Sequence, residues 1–317
     1  MKNETEDNEQ NTIKSLLENE EKVITLTAEN IGNLVLKRCS AESKNKVAFR
    51  GLTCDKELFP TVLRKLPDNV SNYAELREYE IKLYEDYNRY SIQYLPYYES
   101  LADWIASAQH YGLKTRLLDW TYNPLVALFF AINNEKNEND SYILATDVKY
   151  TINEFFYFRE TTDEKDEYTY KRKWQMNKNL DWIDCLTDII SYNDNPKNTV
   201  RKIDFSKNIK QKGNICFLET NDANPRIIAQ EGFFQLCRFP LNEAYSTTVK
   251  DIKLHMIEEI RNNVKCIYVI PKESKADLRK SLNEMNITTP KLFPDLGSIC
   301  KFINSKTFDL SEAAWKR

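Results

Sequence analysis

An arginine followed by a glycine ends the first strand-like run of the chain, and this pair could bind an anion. Arg50 follows the apolar residues Val47, Ala48 and Phe49, and Gly51 comes next. A guanidinium at a strand end can bind a carboxylate or a phosphate through two parallel hydrogen bonds. The glycine would let a ligand or another chain segment approach the backbone closely. The alternative is a structural ion pair between Arg50 and a buried acid, because buried charges need partners.

A second group of polar residues lies in the segment AQHYGLKTRLLDWTYNPL, which the sequence predicts to be irregular. It lies between two predicted helices and carries residues able to bind a ligand, namely His110, Tyr111, Thr115, Arg116, Asp119, Trp120 and Thr121. Irregular segments with this many polar side chains favour a binding site. The alternative is a satisfied polar core, with Asp119 capping amides, Arg116 pairing with Asp119 and His110 accepting a backbone hydrogen bond.

The end of this segment predicts the start of a helix. Asn123 can accept hydrogen bonds from free backbone amides, and Pro124 fits the first helical position. The helix PLVALFFAIN is apolar all round and should therefore be buried. Its amino end carries the positive pole of the helix dipole, which would suit a pyrophosphate or another anion.

A third group lies in the run NPRIIAQEGFFQL, residues 224–236, whose composition predicts a strand. Alternation along a strand would place Arg226 and Gln230 on one face and Glu231 on the other. We therefore expect Gln230 to share a pocket with Arg50, and Glu231 to be a surface residue or a contact to the insertion defined below.

An α+β fold would position these three groups. The runs NKVAFRGL, SYILATDV, NICFLET, RIIAQEGFFQLCRF and VKCIYVIP have the β-branched and aromatic enrichment of strands. They predict a mixed, largely antiparallel sheet of about five or six strands, flanked by helices. Predicted helices include a long amphipathic one over 72–95 and a second from about Glu99 to Ala108.

The predicted domain organisation has three parts. Residues 1–24 form a polar N-terminal segment, with a frayed start followed by a helix. Residues 25–149 and 213–317 form the main domain. Residues 150–212 are rich in charge and are predicted to be a variable, mainly helical insertion.

Composition excludes several classes of function. A net charge of −3 over 317 residues gives no general surface for DNA. The absence of a long apolar run and of a secretory signal predicts a cytoplasmic protein without a membrane partner. The chain has two histidines and seven cysteines without a CxxC pair, so we expect no metal and no disulfide framework. The motifs GxxxxGKS/T, GxGxxG, GxSxG and HExxH are absent.

Four segments together resemble the FRG domain family. They are FRG at 49–51, AQHYGLKTRLLDWTYNPLVALFFA at 108–131, PRIIAQEGFF at 225–234 and LFPDLGSIC at 292–300. The resemblance extends over roughly residues 25–305, apart from the insertion. FRG domains occur often in bacteria and their mobile elements, so the resemblance implies an effector with a role in defence against phage.

A weaker resemblance is to ADP-ribosyltransferases, which grip NAD with an arginine and a glycine on an early strand. A polar strand and loop follow there, and a late strand supplies a glutamate. Arg50-Gly51, the segment 115–121 and the segment 230–232 come in the same order. The chain departs from that pattern because Gln230 is on the predicted pocket face, where those enzymes usually have glutamate.

This weaker resemblance implies roles for the residues if NAD is the substrate. Arg50 and the helix start would hold the pyrophosphate, and Tyr111 or Trp120 would stack on nicotinamide. The ribose hydroxyls would contact Asp119, Gln230 or Glu231, with Asp119 as the substitute carboxylate. The remaining residues of the predicted pocket would bind the ligand, namely Gly51, His110, Thr115, Arg116, Thr121 and Arg226.

Three hypotheses follow for the function. The first is an enzyme that consumes NAD as an ADP-ribosyltransferase or NAD glycohydrolase, acting on an unknown macromolecular target or on water. The second is a module that binds a nucleotide without turnover and serves as a sensor. The third is a scaffold whose polar cluster only specifies the fold.

Overall fold

A computed structural model describes residues 12–17, 20–39, 46–91, 93–94, 101–134, 138–148, 151–152, 217–220, 224–237 and 248–305. In this part of the chain, one mixed sheet contains eight strands in the order β1-β8-β4-β2-β3-β7-β6-β5. The strands are β1 (Val23–Thr25), β2 (Lys46–Leu52), β3 (Leu117–Thr121), β4 (Ser141–Val148), β5 (Thr151–Ile152), β6 (Phe217–Leu218), β7 (Gly232–Leu236) and β8 (Val264–Ile270). The pairs β1–β8 and β5–β6 are parallel, and the other five neighbouring pairs are antiparallel.

The helices of the described residues are α1 (Thr12–Leu17), α2 (Ile31–Cys39), α3 (Thr61–Arg64), α4 (Tyr73–Ser91), α5 (Leu101–His110), α6 (Pro124–Ile132), α7 (Pro225–Ala229), α8 (Val249–Asn263), α9 (Lys275–Glu284), α10 (Thr289–Leu292) and α11 (Leu296–Ser305). Short 3-10 turns occupy Glu20–Lys22, Ala28–Asn30, Asp55–Leu58 and Lys272–Ser274. The predicted α+β fold with a largely antiparallel sheet is confirmed. The predictions of α4, α5 and α6 are also confirmed.

The sheet has more strands than the five or six predicted. Strands β1 and β5 contain three and two residues, which is too short for a recognisable pattern. Strand β3 lies inside the segment that was predicted to be irregular, so that prediction was wrong. The central charged residue of its sequence LLDWT hides the strand pattern.

Helices cover the sheet on both faces, and β2 shows how the sequence achieves this. Val47 and Phe49 pack in a core with α6 and α9, whereas Ala48 and Leu52 pack in a second core with α3, α4 and α8. A strand buried on both faces needs apolar residues at successive positions, which explains the continuous run before Arg50.

Helix α6 is buried between the sheet and other helices, as its composition predicts. Seven of its nine residues are buried, and Asn123 caps it by accepting a hydrogen bond from the Leu125 amide at 3.1 Å. The helix therefore fixes the end of β3 and places its own first turns against β2.

Strands β2 and β3 lie side by side, but they pair at one position, Phe49 with Thr121. Continuing that antiparallel register would place Gly51 opposite Asp119, yet the two strands diverge before this point. Each strand has a continuous partner on its other side, since β2 pairs with β4 and β3 pairs with β7. The sheet is therefore open at its centre, beside the arginine and the aspartate singled out in the sequence.

The domain boundaries stay predictions. Residues 1–11 and 153–212 lie outside the described residues, and so does most of the predicted insertion. Its first residues, Thr151–Ile152, form β5 and pair with β6. None of the helices in the described ranges has the length and apolar character needed to span a membrane.

Candidate functional site

A cavity of about 340 Å³ lies where β2 and β3 diverge. Its polar lining residues are Arg50, Glu57, Thr61, Arg64, Gln109, His110, Asp119, Thr121, Asn224, Arg226 and Gln230. Its apolar walls include Phe49, Phe130, Phe233 and Phe234. Ligand pockets usually enclose roughly 300–1,000 Å³ and combine apolar walls with a few convergent polar groups, so this cavity is a candidate ligand site.

The Arg50 guanidinium bridges the opening between the two strands. Its Nη1 donates a hydrogen bond to the Asp119 carbonyl, and its Nη2 donates one to the Glu57 carbonyl at 2.9 Å. Within the described ranges no carboxylate oxygen lies within ion-pair distance of Arg50. Arg50 therefore forms no structural ion pair with a buried acid in this part of the chain. Two backbone carbonyl groups therefore hold the guanidinium in place. Arg50 is buried, with 7% of its surface exposed.

Burial is the main cause that lowers the pKa of Arg50. The negative charge of Asp119 opposes this shift, and the positive charge of Arg64 adds to it. Arg50 is thus a desolvated cation near a second arginine and a carboxylate, which is an arrangement suited to an anionic ligand.

Gly51 has a different role from the one predicted. A Cβ at this position would lie 2.0 Å from the Ala127 carbonyl oxygen and 2.8 Å from the Ala131 amide nitrogen, both in α6. The space beside Gly51 is therefore occupied by the backbone of a buried helix, so the expectation that this glycine makes room for a ligand was wrong. Gly51 lines the cavity, but its lack of a side chain allows α6 to pack on β2.

The Gly51→Ala variant should be destabilised by about 1–3 kcal/mol or more, because backbone atoms of α6 cannot move aside as a flexible side chain can. Urea unfolding should show a lower midpoint with an unchanged slope. The matched control is Gly32→Ala in α2, where a Cβ would meet nothing within 4 Å. That variant should be as stable as the wild type or more stable. Equal midpoints for both variants would disprove the close packing of α6 on β2.

Asp119 presents its carboxylate to the cavity and is held there by a short chain of hydrogen bonds. The Thr115 hydroxyl donates to the Gln109 side-chain oxygen, and the Gln109 amide donates to Asp119 Oδ1 at 2.9 Å. Asp119 Oδ2 makes no hydrogen bond within the described part of the chain. The side chain is exposed, so this oxygen can accept a hydrogen bond from a ligand.

Thr115 does not line the cavity, but its hydroxyl holds the side chain of Gln109, which does. Thr115 is fully buried, and its hydroxyl also accepts a hydrogen bond from the Leu117 amide at 3.1 Å. Gln109 links Thr115 to Asp119 through its two hydrogen bonds. It was not among the residues predicted from the sequence. The signal was available, because Gln109 immediately precedes His110 in the motif AQHYG.

Arg226 and Gln230 reach the cavity together, but not through a strand. Residues 225–229 form α7, so the strand predicted for this run was wrong there, whereas β7 confirms it for residues 232–236. Residues four apart lie on the same face of a helix, which brings Arg226 and Gln230 to one side. The Gln230 amide donates to the Leu292 carbonyl at 2.9 Å, which fixes the side chain at the cavity wall.

Arg226 lies over the ring of Phe293, with its guanidinium carbon 4.6 Å from the ring centre. Burial is the main cause that lowers its pKa, and the charges of Asp119 and Asp295 oppose the shift. Burial also lowers the pKa of His110, with Arg226 adding to that shift and Asp295 opposing it. The segment LFPDLGSIC thus contributes to the environment of the cavity through Leu292, Phe293 and Asp295.

Glu231 does not line the cavity. It takes a left-handed backbone conformation with φ of 45°, in the turn between α7 and β7. Its carboxylate accepts a hydrogen bond from the Asn123 side chain at 2.9 Å, close to the start of α6. It therefore makes a contact at a helix start. The expected contact to the insertion stays a prediction, because most of the insertion lies outside the described residues.

The start of α6 is not open to an anion, contrary to the sequence prediction. Pro124 has no amide hydrogen, and the Leu125 amide donates to the Asn123 side chain. The Val126 and Ala127 amides donate to the Asn123 carbonyl at 3.1 and 3.2 Å. The first-turn amides are thus satisfied internally.

The aromatic residues proposed to stack on a ligand are placed differently. Tyr111 is 70% exposed and does not line the cavity. Trp120 lines it but is 3% exposed, and its indole nitrogen donates to Gln235 at 2.9 Å. Thr121 also lines the cavity, and its hydroxyl donates to the Gln230 carbonyl at 2.6 Å. Phe130 also lines the cavity, and its ring is half-buried.

Arg116 lies outside the cavity, in a buried ion pair with Glu80 of α4. Its Nε and Nη2 donate to the two carboxylate oxygens at 3.0 and 2.5 Å, and both side chains are completely buried. Burial opposes the charge of Arg116, but Glu80 outweighs it and raises the pKa. The alternative pairing of Arg116 with Asp119 was therefore also wrong.

The structure brings Arg50, Asp119, Gln230, Gly51, His110, Trp120, Thr121 and Arg226 to one cavity, and it leaves out Glu231, Tyr111, Thr115 and Arg116. Sequence reasoning missed five polar lining residues, Glu57, Thr61, Arg64, Gln109 and Asn224. Across the described ranges, no three His, Cys, Asp or Glu side chains come close enough together to hold a metal ion.

Comparison with known families agrees with the resemblance noted in the sequence. The model of the FRG domain matches residues 45–140. The chain contains an FRG domain. The matched residues run from β2 to the residue before β4, so the FRG domain supplies Arg50, Gly51, His110 and Asp119.

The cavity extends beyond the residues that the FRG model matches. Asn224, Arg226 and Gln230 come from the later part of the chain, outside the residues that the family model covers. No curated protein and no solved structure matches the chain. Assignment of a function therefore depends on the chemistry of the cavity.

Proposed function

We propose that the cavity binds NAD and that the protein cleaves the bond between nicotinamide and ribose, passing ADP-ribose to water or to a target. The observation that carries this proposal is the exposed, oriented carboxylate of Asp119 in a cavity lined by three arginines. Positive charge suits the pyrophosphate, and a fixed carboxylate suits the positive charge that develops on the sugar.

In the proposed reaction, the bond from ribose C1′ to nicotinamide N1 breaks, and nicotinamide leaves with the bonding electrons as a neutral molecule. The sugar then carries positive charge, which the free oxygen of Asp119 stabilises. A water oxygen, or a nucleophile of the target, forms the new bond to C1′ and releases its proton to solvent. Each atom is accounted for without a further reactant.

Each wall of the cavity has a role in this proposal. Arg50 supplies a fixed positive charge and holds the backbone of Asp119 through the hydrogen bond to its carbonyl. Gln109 keeps the carboxylate in one orientation. Gln230, with its amide nitrogen bound to Leu292, can present its side-chain oxygen to a ribose hydroxyl. Phe130 offers a half-buried aromatic surface to a planar ring.

The test is release of nicotinamide from NAD by the purified full-length protein, alone and with cell extracts that contain acceptor proteins. We expect release to be time-dependent and proportional to enzyme concentration. Radiolabelled NAD would separate hydrolysis from transfer, because only transfer leaves the label on macromolecules. Absence of both release and NAD binding under all of these conditions would end the proposal.

A second candidate function is nucleotide sensing without turnover, and one observation favours it. The turn before β7 contributes the amide of Gln230 to the cavity, whereas the carboxylate of Glu231 does not line it. An amide stabilises positive charge less well than a carboxylate. Calorimetry against a panel of nucleotides tests this candidate. Tight binding of a nucleotide without nicotinamide release would favour the sensor.

A role in defence against phage is a further part of the proposal, implied by the resemblance to FRG proteins. Loss of cellular NAD during infection of an expressing strain, compared with a strain carrying an inactive variant, would support this role.

A further inference from the structure

Arg64 is one of the three arginines that line the cavity. It is the last residue of α3 and follows the 3-10 turn that contains Glu57. Its Nε donates a hydrogen bond to the Phe59 carbonyl at 2.8 Å. This contact anchors the guanidinium through Nε and does not involve the two terminal nitrogens, Nη1 and Nη2.

The terminal nitrogens of Arg64 have no partner among the described residues. No hydrogen bond and no ion pair joins either of them to the protein there. The two terminal nitrogens of an arginine form a planar fork that matches two oxygens of a phosphate or a carboxylate. An anchored guanidinium with a free fork is therefore prepared for an anion.

Arg50 lies near enough to Arg64 for its pKa to be lowered by the Arg64 charge. The two arginines face one cavity without a carboxylate in ion-pair distance of either guanidinium in the described ranges. Glu57 also lines this end, and its Oε2 accepts a hydrogen bond from the Thr53 amide at 2.6 Å. Like charges that are close and partly desolvated are stabilised when an anion binds between them.

We propose that Arg64 and Arg50 form the phosphate subsite of the cavity, with the free fork of Arg64 making the direct contact and Arg50 contributing fixed charge. The two terminal nitrogens of Arg50 already donate hydrogen bonds to carbonyl groups. We therefore assign the direct hydrogen bonds to the phosphate to Arg64. The ligand class is a nucleotide that carries at least one phosphate, and a free nucleoside is disfavoured. The inference takes its nucleotide from the proposed function, but anion binding at Arg64 does not require turnover.

The test is titration calorimetry of the full chain with inorganic pyrophosphate, ADP-ribose and adenosine. We expect pyrophosphate and ADP-ribose to bind the wild type and to compete with each other. Arg64→Ala should weaken both about 10-fold to 100-fold, because a hydrogen-bonded charge pair is lost. Arg64→Gln should weaken them to a similar degree, since it retains a donor near the Phe59 carbonyl but no charge.

The matched control is Arg279→Ala, which also removes an arginine that donates to a backbone carbonyl, that of Ile132 at 2.7 Å, but does not line the cavity. It should leave both affinities unchanged. Wild-type affinities in either Arg64 variant, or no binding of pyrophosphate to the wild type, would overturn the inference. Failure of the proposed function looks different: ADP-ribose then binds with the predicted dependence on Arg64, while NAD is not cleaved.

Discussion

The Asp119→Asn variant is expected to release nicotinamide from NAD about 10²–10³ times more slowly than the wild type. The substitution keeps the size of the side chain, and the asparagine oxygen can still accept the hydrogen bond from Gln109. It removes the negative charge that would stabilise the positively charged sugar in the transition state. The fold should be unaffected because Asp119 is exposed and belongs to a strand whose pairing with β7 uses the backbone.

Steady-state kinetics with a matched control test this expectation. Asp140→Asn is suitable because Asp140 is also exposed and also accepts one hydrogen bond, from the Lys272 amide at 3.0 Å, but lies outside the cavity. We expect the loss at Asp119 to fall mainly on kcat, because the charge acts in the transition state. An Asp119 variant as fast as the wild type would remove Asp119 from the chemistry, whatever binds in the cavity.

The Glu80→Gln variant is expected to lose about 3–5 kcal/mol of folding free energy, because it leaves the buried charge of Arg116 without a compensating carboxylate. Both side chains are completely buried and are joined by two hydrogen bonds. The pair connects α4 to the segment that leads into β3, so its loss should weaken the packing of α4 against β3.

Urea unfolding with two controls separates charge from position. The double variant Glu80→Leu and Arg116→Met removes both charges together and should recover most of the lost stability. Asp86→Asn removes a partly exposed carboxylate from the same helix, and because surface ion pairs contribute little, it should leave the unfolding midpoint nearly unchanged. At low temperature, the folded fraction of the Glu80 variant should keep the wild-type affinity for ADP-ribose. If the Glu80 variant instead lost affinity for ADP-ribose without losing stability, Arg116 would have to belong to the ligand site.

Much of the architecture could be predicted because burial leaves a direct trace in the sequence. Continuous apolar runs predicted β2, β4 and β8, and the Asn123-Pro124 signal predicted the start of α6. The same signal recurs at Asn224-Pro225 and starts α7, where Asn224 accepts a hydrogen bond from the Arg226 amide at 3.0 Å. The β-branched residues that follow favoured a strand, and this preference concealed the helix.

The convergence of Arg50, Asp119 and Gln230 on one cavity was predicted, although part of the reasoning was wrong. Gln230 faces the cavity through helical spacing and a turn, whereas the prediction assumed alternation along a strand. The role of Gly51 depends on how closely α6 approaches β2. That distance is a tertiary property, which the local sequence does not specify.

The buried pair of Arg116 and Glu80 had a signal that could have been used. The buried residues of α4 are Tyr73, Leu76, Glu80 and Tyr84, so a glutamate occupies the apolar face of an amphipathic helix. A charge on such a face needs a buried partner of opposite sign. Arg64 had no comparable signal, since its place in the cavity depends on the path of the chain between β2 and α4.

A crystal structure of the protein with ADP-ribose would test most directly whether the cavity between β2 and β3 is the ligand site. We expect the ligand to occupy this cavity, with a phosphate within hydrogen-bond distance of Arg64 and a ribose hydroxyl within reach of Asp119. ADP-ribose bound elsewhere on the protein, or a cavity filled by the protein's own side chains, would show that this cavity is not the ligand site.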